Sequence, residues 1–403
     1  MPEPVHAVVA GGGIGGLAAA VALARAGARV TVLERSRRTG DGGGGLVLYP
    51  NGVRALDALG AELGARVRAE GHVTAPDEVR AVTDAHGRIL AEEPIGAHGL
   101  RLGTPQVPVL RSVLQRALHE AAVAAGATVR HGAAVTGGAT RGDAARALLA
   151  DGGHLDGDLL VAADGIHSAL RQHLLADGPP RYAGYTSVRG RATGVRMPLP
   201  ARVVNGRGVQ LFISPAAPGT LYWTAKITAP PGAWPAKGPA DALRDLRAAT
   251  ADWDPPVVRL LHATAAADTV VTDIHDRDPA PRWTDGRLAL LGDAAHPMVP
   301  ALGQGANMAL EDAVVLARAV AAHPGDVPRA LAAYERERLP RTSAVVLRSR
   351  AQGAVDQGDG AAAELHRNRL VREQGRKDTR TEDIHAWHPD HRREETVDHA
   401  ART

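Results

Sequence analysis

A glycine cluster close to the N-terminus leaves few architectures open to this chain. Residues 5–10 (VHAVVA) form a short, Val-rich apolar run, as expected of a strand buried on both faces. Gly11-Gly12-Gly13-Ile14-Gly15-Gly16 follows at once, then the helix-forming LAAAVALARAG, which closes at Gly27. A second apolar strand, ARVTVLE, ends at Glu34 with Arg35 behind it. Gly11, Gly13 and Gly16 occupy the three glycine positions of GxGxxG. They serve a tight turn, close backbone approach to a diphosphate, and close packing of helix on strand. The helix N-terminus then attracts the diphosphate, and Glu34 can accept from ribose hydroxyls. The hexapeptide alone fits a glycine-rich turn of any α/β protein. With strand, helix and acid in register it specifies a dinucleotide site, while leaving NAD and FAD both open.

Residues 286–320 (GRLALLGDAAHPMVPALGQGANMALEDAVVLARAV) narrow that choice. An apolar strand runs into Asp293, a loop holding Pro297 and Pro300 follows, and Gly303-Gln304-Gly305-Ala306 opens a long Ala/Leu/Val helix. Asp293, at the carboxyl end of its strand, can hold a ribityl hydroxyl. The helix N-terminus suits a group that becomes anionic, such as the N1–C2=O edge of a reduced flavin. A third strand–turn–helix, DLLVAADGIHSALRQHL, carries Asp164, Gly165 and Arg171.

These three motifs, in this order, resemble the p-hydroxybenzoate-hydroxylase-type (class A) FAD-dependent monooxygenases, over about residues 5–350. Family-like segments also occur at 43–60, around Arg111, at 182–190 and at 334–350. The resemblance implies an α/β protein: a Rossmann-like FAD-binding domain with an inserted antiparallel sheet for substrate, and C-terminal helices. It assigns Gly11, Gly13, Ile14, Gly15, Gly16, Glu34 and Arg35 to the ADP half of FAD, and Arg111 to the phosphate or ribityl region. Asp293 would bind the ribityl chain, Gly303, Gly305 and Ala306 would lie under the isoalloxazine, and Asp164 would serve FAD and nicotinamide alike. The DG motif departs slightly, with Ala162-Ala163 where Gly-Ala is usual.

The implied reaction passes hydride from NAD(P)H to flavin N5, adds O2 at C4a, and transfers the hydroperoxide's distal oxygen to an electron-rich carbon. Water must be kept from that hydroperoxide. An epoxidase or a Baeyer–Villiger monooxygenase would share the motifs. A flavin-free dehydrogenase is disfavoured by the 286–320 segment, and halogenases by the lack of two Trp residues at WxW spacing. No second GxGxxG lies within a strand and helix, so NAD(P)H is expected to bind transiently.

The expected organisation is an FAD-binding part over 1–180 with a β-rich insertion near 72–100, a substrate sheet over 181–275, a return segment over 276–330, and a helix and polar tail over 331–403. Of the scarce aromatics (3% of residues), Tyr182, Tyr185, Phe212, Tyr222 and Trp223 cluster in or beside the substrate sheet. They read equally as an ordinary core or as a pocket for a planar substrate. Alternation puts Tyr222 and Thr224 on one face and Trp223 on the other. Candidate substrate contacts are Leu48, Arg189, Gln210, Phe212 and Tyr222; Arg189 could equally hold the sheet. Tyr222 is the candidate base for ionising a phenol, and Pro297 and Pro300 shape the loop beside the reacting atoms. His296 reads as structural. The Gly42–Gly45 run is expected to form a mobile loop near the ring.

Composition closes other routes. Cysteine is absent, so disulfides, thiolate zinc sites and iron–sulfur clusters are excluded. The net charge of +3 is spread along the chain without a basic block, which argues against nucleic acid. No apolar run has the roughly 20 residues of a membrane span, and no signal peptide is evident, so a cytoplasmic monomer or homodimer is expected. His385, His388 and His391 recur at three-residue spacing, but Pro389 interrupts them. The tail from about 375 reads as solvated and partly disordered, with no metal implied.

Overall fold

The computed structural model describes residues 3–37, 44–358, 360–374 and 381–390. Gly42 and Gly43 of the glycine run and His391 of the tail lie outside these residues. A six-stranded sheet orders its strands as Thr284–Asp285, Leu288–Leu290, Leu159–Ala162, His6–Ala10, Arg29–Glu34 and Thr128–His131. All pairings are parallel except the first. His6–Ala10 and Leu159–Ala162 are buried at every residue, the signature of a sheet covered on both faces. Helix Ile14–Arg25 packs along helix Gly305–Ala322. Two glycines make the turn between strand and helix possible. Gly11 adopts φ +107, where a Cβ would also strike the Ala163 carbonyl, and a Cβ on Gly16 would strike the carbonyl oxygen of Gly11.

A seven-stranded sheet faces this unit, in the order Thr269–Asp276, Arg181–Thr193, Thr220–Thr228, Val209–Ala217, Arg202–Gly206, Arg80–Asp84 and Ile89–Glu93. Its pairings are antiparallel apart from Arg202–Gly206 on Arg80–Asp84, which is parallel. The sequence suggests a β-rich insertion near 72–100 within the FAD-binding part; that parallel pairing makes its strands the far edge of the seven-stranded sheet instead. One face is sealed by helices Gly238–Ala249 and Pro255–Ala263, through Val188, Leu211, Trp223, Leu243 and Leu260. Trp223 donates to Thr264 at 2.9 Å on that side. Tyr222 is buried on the other side, in the core shared with the six-stranded unit.

The C-terminal region departs from expectation. Helices Val327–Asp356 and Ala361–Gln374 are followed by Glu382–His385, and the tail within 381–390 is docked rather than solvated. Ile384, His385 and Trp387 are each under 9% exposed. Arg54 donates to the carbonyls of His385 (2.9 Å) and Trp387 (3.1 Å), and Arg341 to that of Ile384 (2.7 Å). Ile384 packs with Met308 and Val345. A polar tail needs few apolar contacts when its own backbone carbonyls accept from arginines.

Beneath this lies a fully buried charge cluster. Arg338 donates to Asp312 at 2.7 Å and to Glu311 at 2.5 Å; His296 meets the other Asp312 oxygen at 2.5 Å. Burial alone would raise the Asp312 carboxyl, but His296 and Arg338 outweigh it and hold it at about 2, against an ordinary 3.8. A depressed carboxylate stabilises the fold fully above about pH 4 and loses that contribution as pH falls towards 2. Arg338→Met, which takes the shared cation from two buried carboxylates and leaves Asp312 to His296 and Glu311 to Arg341, is expected to cost about 3 kcal/mol in urea unfolding at pH 7. For Asp312→Asn, the loss of stability between pH 4 and 2 should be shallower than in the parent.

Candidate active site

A cavity of about 890 Å³ lies between the two sheets and runs from the first helix N-terminus to the C-terminal helices. Gly13, Ile14 and Gly15 form one end. The helix beginning at Ile14 has no side-chain cap, so its first N–H groups have no partner within the helix. A Cβ placed on Gly13 would meet no protein atom within 4 Å. Arg111, Asp293, Gly303, Gly305 and Ala306 line the next stretch, where helix Gly305–Ala322 also starts without a side-chain cap. Beside it, Asp164 accepts from the Ala169 N–H with one oxygen, while the other is buried without a partner. Burial raises this carboxyl above its ordinary value; its neighbours Ala163 and Gly165 line the cavity, and Asp164 itself does not. Glu34 accepts from the Gly12 and Ser36 N–H groups at 2.6 and 2.7 Å. Gly11 and Gly16 shape the turn, and Arg35 is exposed at the strand's end.

The other residues named from sequence divide sharply. Gln210, Phe212, Tyr222 and Pro300 line the cavity. Leu48 does not: it is completely buried in the core. Pro297 is likewise buried off the cavity wall, its carbonyl accepting from the Arg277 N–H. Arg189 donates to Thr272 at 2.9 Å and secures neighbouring strands, so it is not placed as a substrate contact. Tyr222 sits where expected but in a different chemical state. Burial pushes its phenol well above the ordinary value, so it keeps its proton and is a donor rather than a base. His296, locked to Asp312, is part of the buried cluster.

Among the cavity residues that sequence reading does not place in the site are Tyr49, Arg80 and His385. Arg80 pairs with Glu93 and lies 5.9 Å from the centroid of the Phe212 ring. Burial opposes its charge, but Glu93 and Tyr49 outweigh burial and keep it protonated. Tyr49 stacks on His385 with centroids 4.5 Å apart and an interplanar angle of 13°. His385 Nδ1 lies 2.9 Å from His98 Nε2. Burial first, then His98 and Arg80, lower His385 to about 3, so the ring is neutral near pH 7. Tyr49 stands in the LVLYPN segment and was within reach of pattern reading. Arg80 carries no local signal, and His385 lies in a stretch whose few apolar residues give no periodicity.

Two helix N-termini without side-chain caps, opening on one continuous cavity, define a protein suited to binding a dinucleotide. The FAD-binding domain model matches residues 4–349. The aurachin C monooxygenase/isomerase of Stigmatella aurantiaca is 36% identical over 377 residues, covering 92% of this chain and 95% of that protein. A 3-amino-4-hydroxybenzoate 2-monooxygenase of Streptomyces platensis is 39% identical over 359 residues, covering 86% and 87%. The structure of Klebsiella pneumoniae HpxO with FAD and uric acid superimposes with a TM-score of 0.84 at 31% identity, over 95% of this chain and 96% of that one. The chain therefore belongs to the FAD-binding domain family, and it is an FAD-dependent monooxygenase.

Gly13→Val is expected to fold, because no protein atom occupies the space its side chain enters, yet to be purified without flavin. Matching far-ultraviolet dichroism with loss of the flavin absorption bands is the expected result. His385 accepts a proton in the unfolded chain near 6.5 but only near 3 when folded, so it erodes stability as pH falls below 6.5. His385→Phe, which keeps the stack on Tyr49, should reduce the slope of Tm against pH between 6.5 and 5.

Proposed function

We propose that this protein hydroxylates an aromatic small molecule, using NAD(P)H and O2. The observation that carries this reading is the continuity of the cavity, from the diphosphate turn past the 303–306 helix start to a wall containing Phe212, Tyr222 and Tyr49. Bound FAD supplies electron uptake from NAD(P)H and activation of O2. Gly13 and Ile14 would hold its diphosphate, Glu34 a ribose, Asp293 and Arg111 the ribityl–phosphate stretch, and Gly303, Gly305 and Ala306 the ring edge. The relatives' names, an aminohydroxybenzoate monooxygenase and an aurachin monooxygenase among them, support an aromatic substrate.

This chain's own residues would bind, orient and shield the substrate. Phe212 and Tyr222, 5.6 Å apart by ring centroid, offer a planar aromatic both faces and edges to pack against. The protonated Tyr222 hydroxyl can donate to a substrate oxygen, and Arg80 can stabilise negative charge developing on that oxygen. Met298, Pro300, Ala301 and Leu302 form an apolar stretch of wall that restricts water.

The test is direct. The purified protein should show flavin absorption, and one or more phenols of a ring-substituted panel should accelerate aerobic NAD(P)H oxidation with formation of a hydroxylated product. Asp293→Ala should lower flavin occupancy at least tenfold under equal dialysis. Substrate-accelerated oxidation that gives only H2O2 with every panel member would count against hydroxylation.

A further inference from the structure

The cavity floor is a patterned face of the seven-stranded sheet. Strand pairing sets Val82 opposite Val203, Val203 opposite Phe212, and Phe212 opposite Thr224. Residues paired directly across strands share a face, so these four form one row, and all four line the cavity. Displaced by two residues along each strand is a second row, Asn205, Gln210 and Lys226, also on the cavity. This second row bonds along its own length: Lys226 Nζ donates to Gln210 at 3.3 Å, and Gln210 to Asn205 at 3.2 Å. The first row, from Phe212 to Val82, is apolar throughout. It spans two strand spacings, about 10 Å.

Two helices extend that apolar row into a track. Asn205 donates to Asn368 at 3.2 Å, and Arg367 donates to the carbonyls of Gly206 and Asp356, each at 2.8 Å. These bonds fix helix Ala361–Gln374 against both the sheet and helix Val327–Asp356. Leu370 and Val371, one turn after Arg367, share its face and line the cavity, each half-buried. Ala351 and Val355, one turn apart on helix Val327–Asp356, line it as well. Apolar side chains of two strands and two helices thus converge beyond Phe212, towards the sheet's far edge. A cavity walled in this way holds apolar matter better than water.

We propose that this track is a subsite for an apolar chain carried by the aromatic substrate. The inference rests on the hydroxylase reading and deepens it. The ring lies against Phe212 and Tyr222, and its chain runs over Val203 and Val82 beside Leu370 and Val371. With a row about 10 Å long, a single methyl group does not reach Val82, whereas a chain of several carbons does. The track is continuous with the ring's own chamber, so the chain and the reacting ring belong to one molecule.

The test uses FAD-loaded enzyme and phenols bearing a meta- or para-alkyl chain, from methyl through propyl and pentyl to heptyl. Binding is read from perturbation of the flavin absorption bands, without turnover. In at least one series affinity is expected to rise about three- to fourfold per methylene, as apolar burial provides, until the track is filled. Leu370→Asn should cut that gain to less than about twofold per methylene and leave binding of the methyl compound within about twofold. Leu370→Trp should occupy the track, so that the heptyl compound binds more weakly than the propyl while the methyl compound is unaffected. General structural damage does not produce such a dependence on length. Affinity that fails to rise beyond methyl in the parent, or a rise that survives both substitutions, would overturn the proposal. Absence of flavin from the purified parent, or no hydroxylated product from any phenol, would instead overturn the hydroxylase reading itself.

Discussion

The buried ionic cluster around Arg338 is the constraint on which the site's geometry depends. Asp312 accepts from the Gly292 N–H at 3.1 Å as well as from Arg338, so it joins the end of strand Leu288–Leu290 to helix Val327–Asp356. Glu311 takes Arg338, Arg341 and Asn51, and Asn51 also donates to Gln304 at 2.9 Å. Helix Gly305–Ala322 is therefore held from three sides at the turn that opens on the cavity. Buried charges are a poor source of net stability, but mispairing them is costly, and that asymmetry selects a single arrangement. The start of this helix can be left without a side-chain cap because its position is secured from behind.

A second arginine connects the remaining motif. Arg171, buried on the helix after Asp164-Gly165, donates to the carbonyls of Ala294 (3.1 Å) and Ala295 (2.8 Å) in the Asp293 loop. The two loops are far apart in sequence, yet each limits where the other can stand. The nucleotide-binding motifs thus act as one rigid frame, and the seven-stranded sheet faces it across the cavity.

Much of the frame was legible because its signals are local. Glycines that a Cβ would make impossible, apolar strands of the right length and an acid at a strand end each declare themselves within a few residues. The misreadings share the opposite property. Strand Arg80–Asp84 joins the seven-stranded sheet through a parallel pairing with residues 202–205, a contact between segments more than a hundred residues apart. Leu48 and Tyr49 are adjacent, and only the backbone direction decides that the first enters the core and the second the cavity wall. Tyr222 was placed on the right face by alternation, but its protonation state follows from burial that no pattern records. His385 was lost in a polar stretch whose anchoring is made by Arg54 and Arg341 to main-chain carbonyls.

That last mode of attachment has its own consequence. A segment gripped by its carbonyls depends less on its own side chains, so with Ile384 and Trp387 keeping their places in the core, its cavity-facing residues can change while the backbone stays held. Drift or deliberate exchange at Thr381 and His385, both facing the cavity, would reshape the chamber and leave the nucleotide frame undisturbed. Selectivity in this chain can thus evolve from residues 381–385, a long way in sequence from the motifs that define its chemistry.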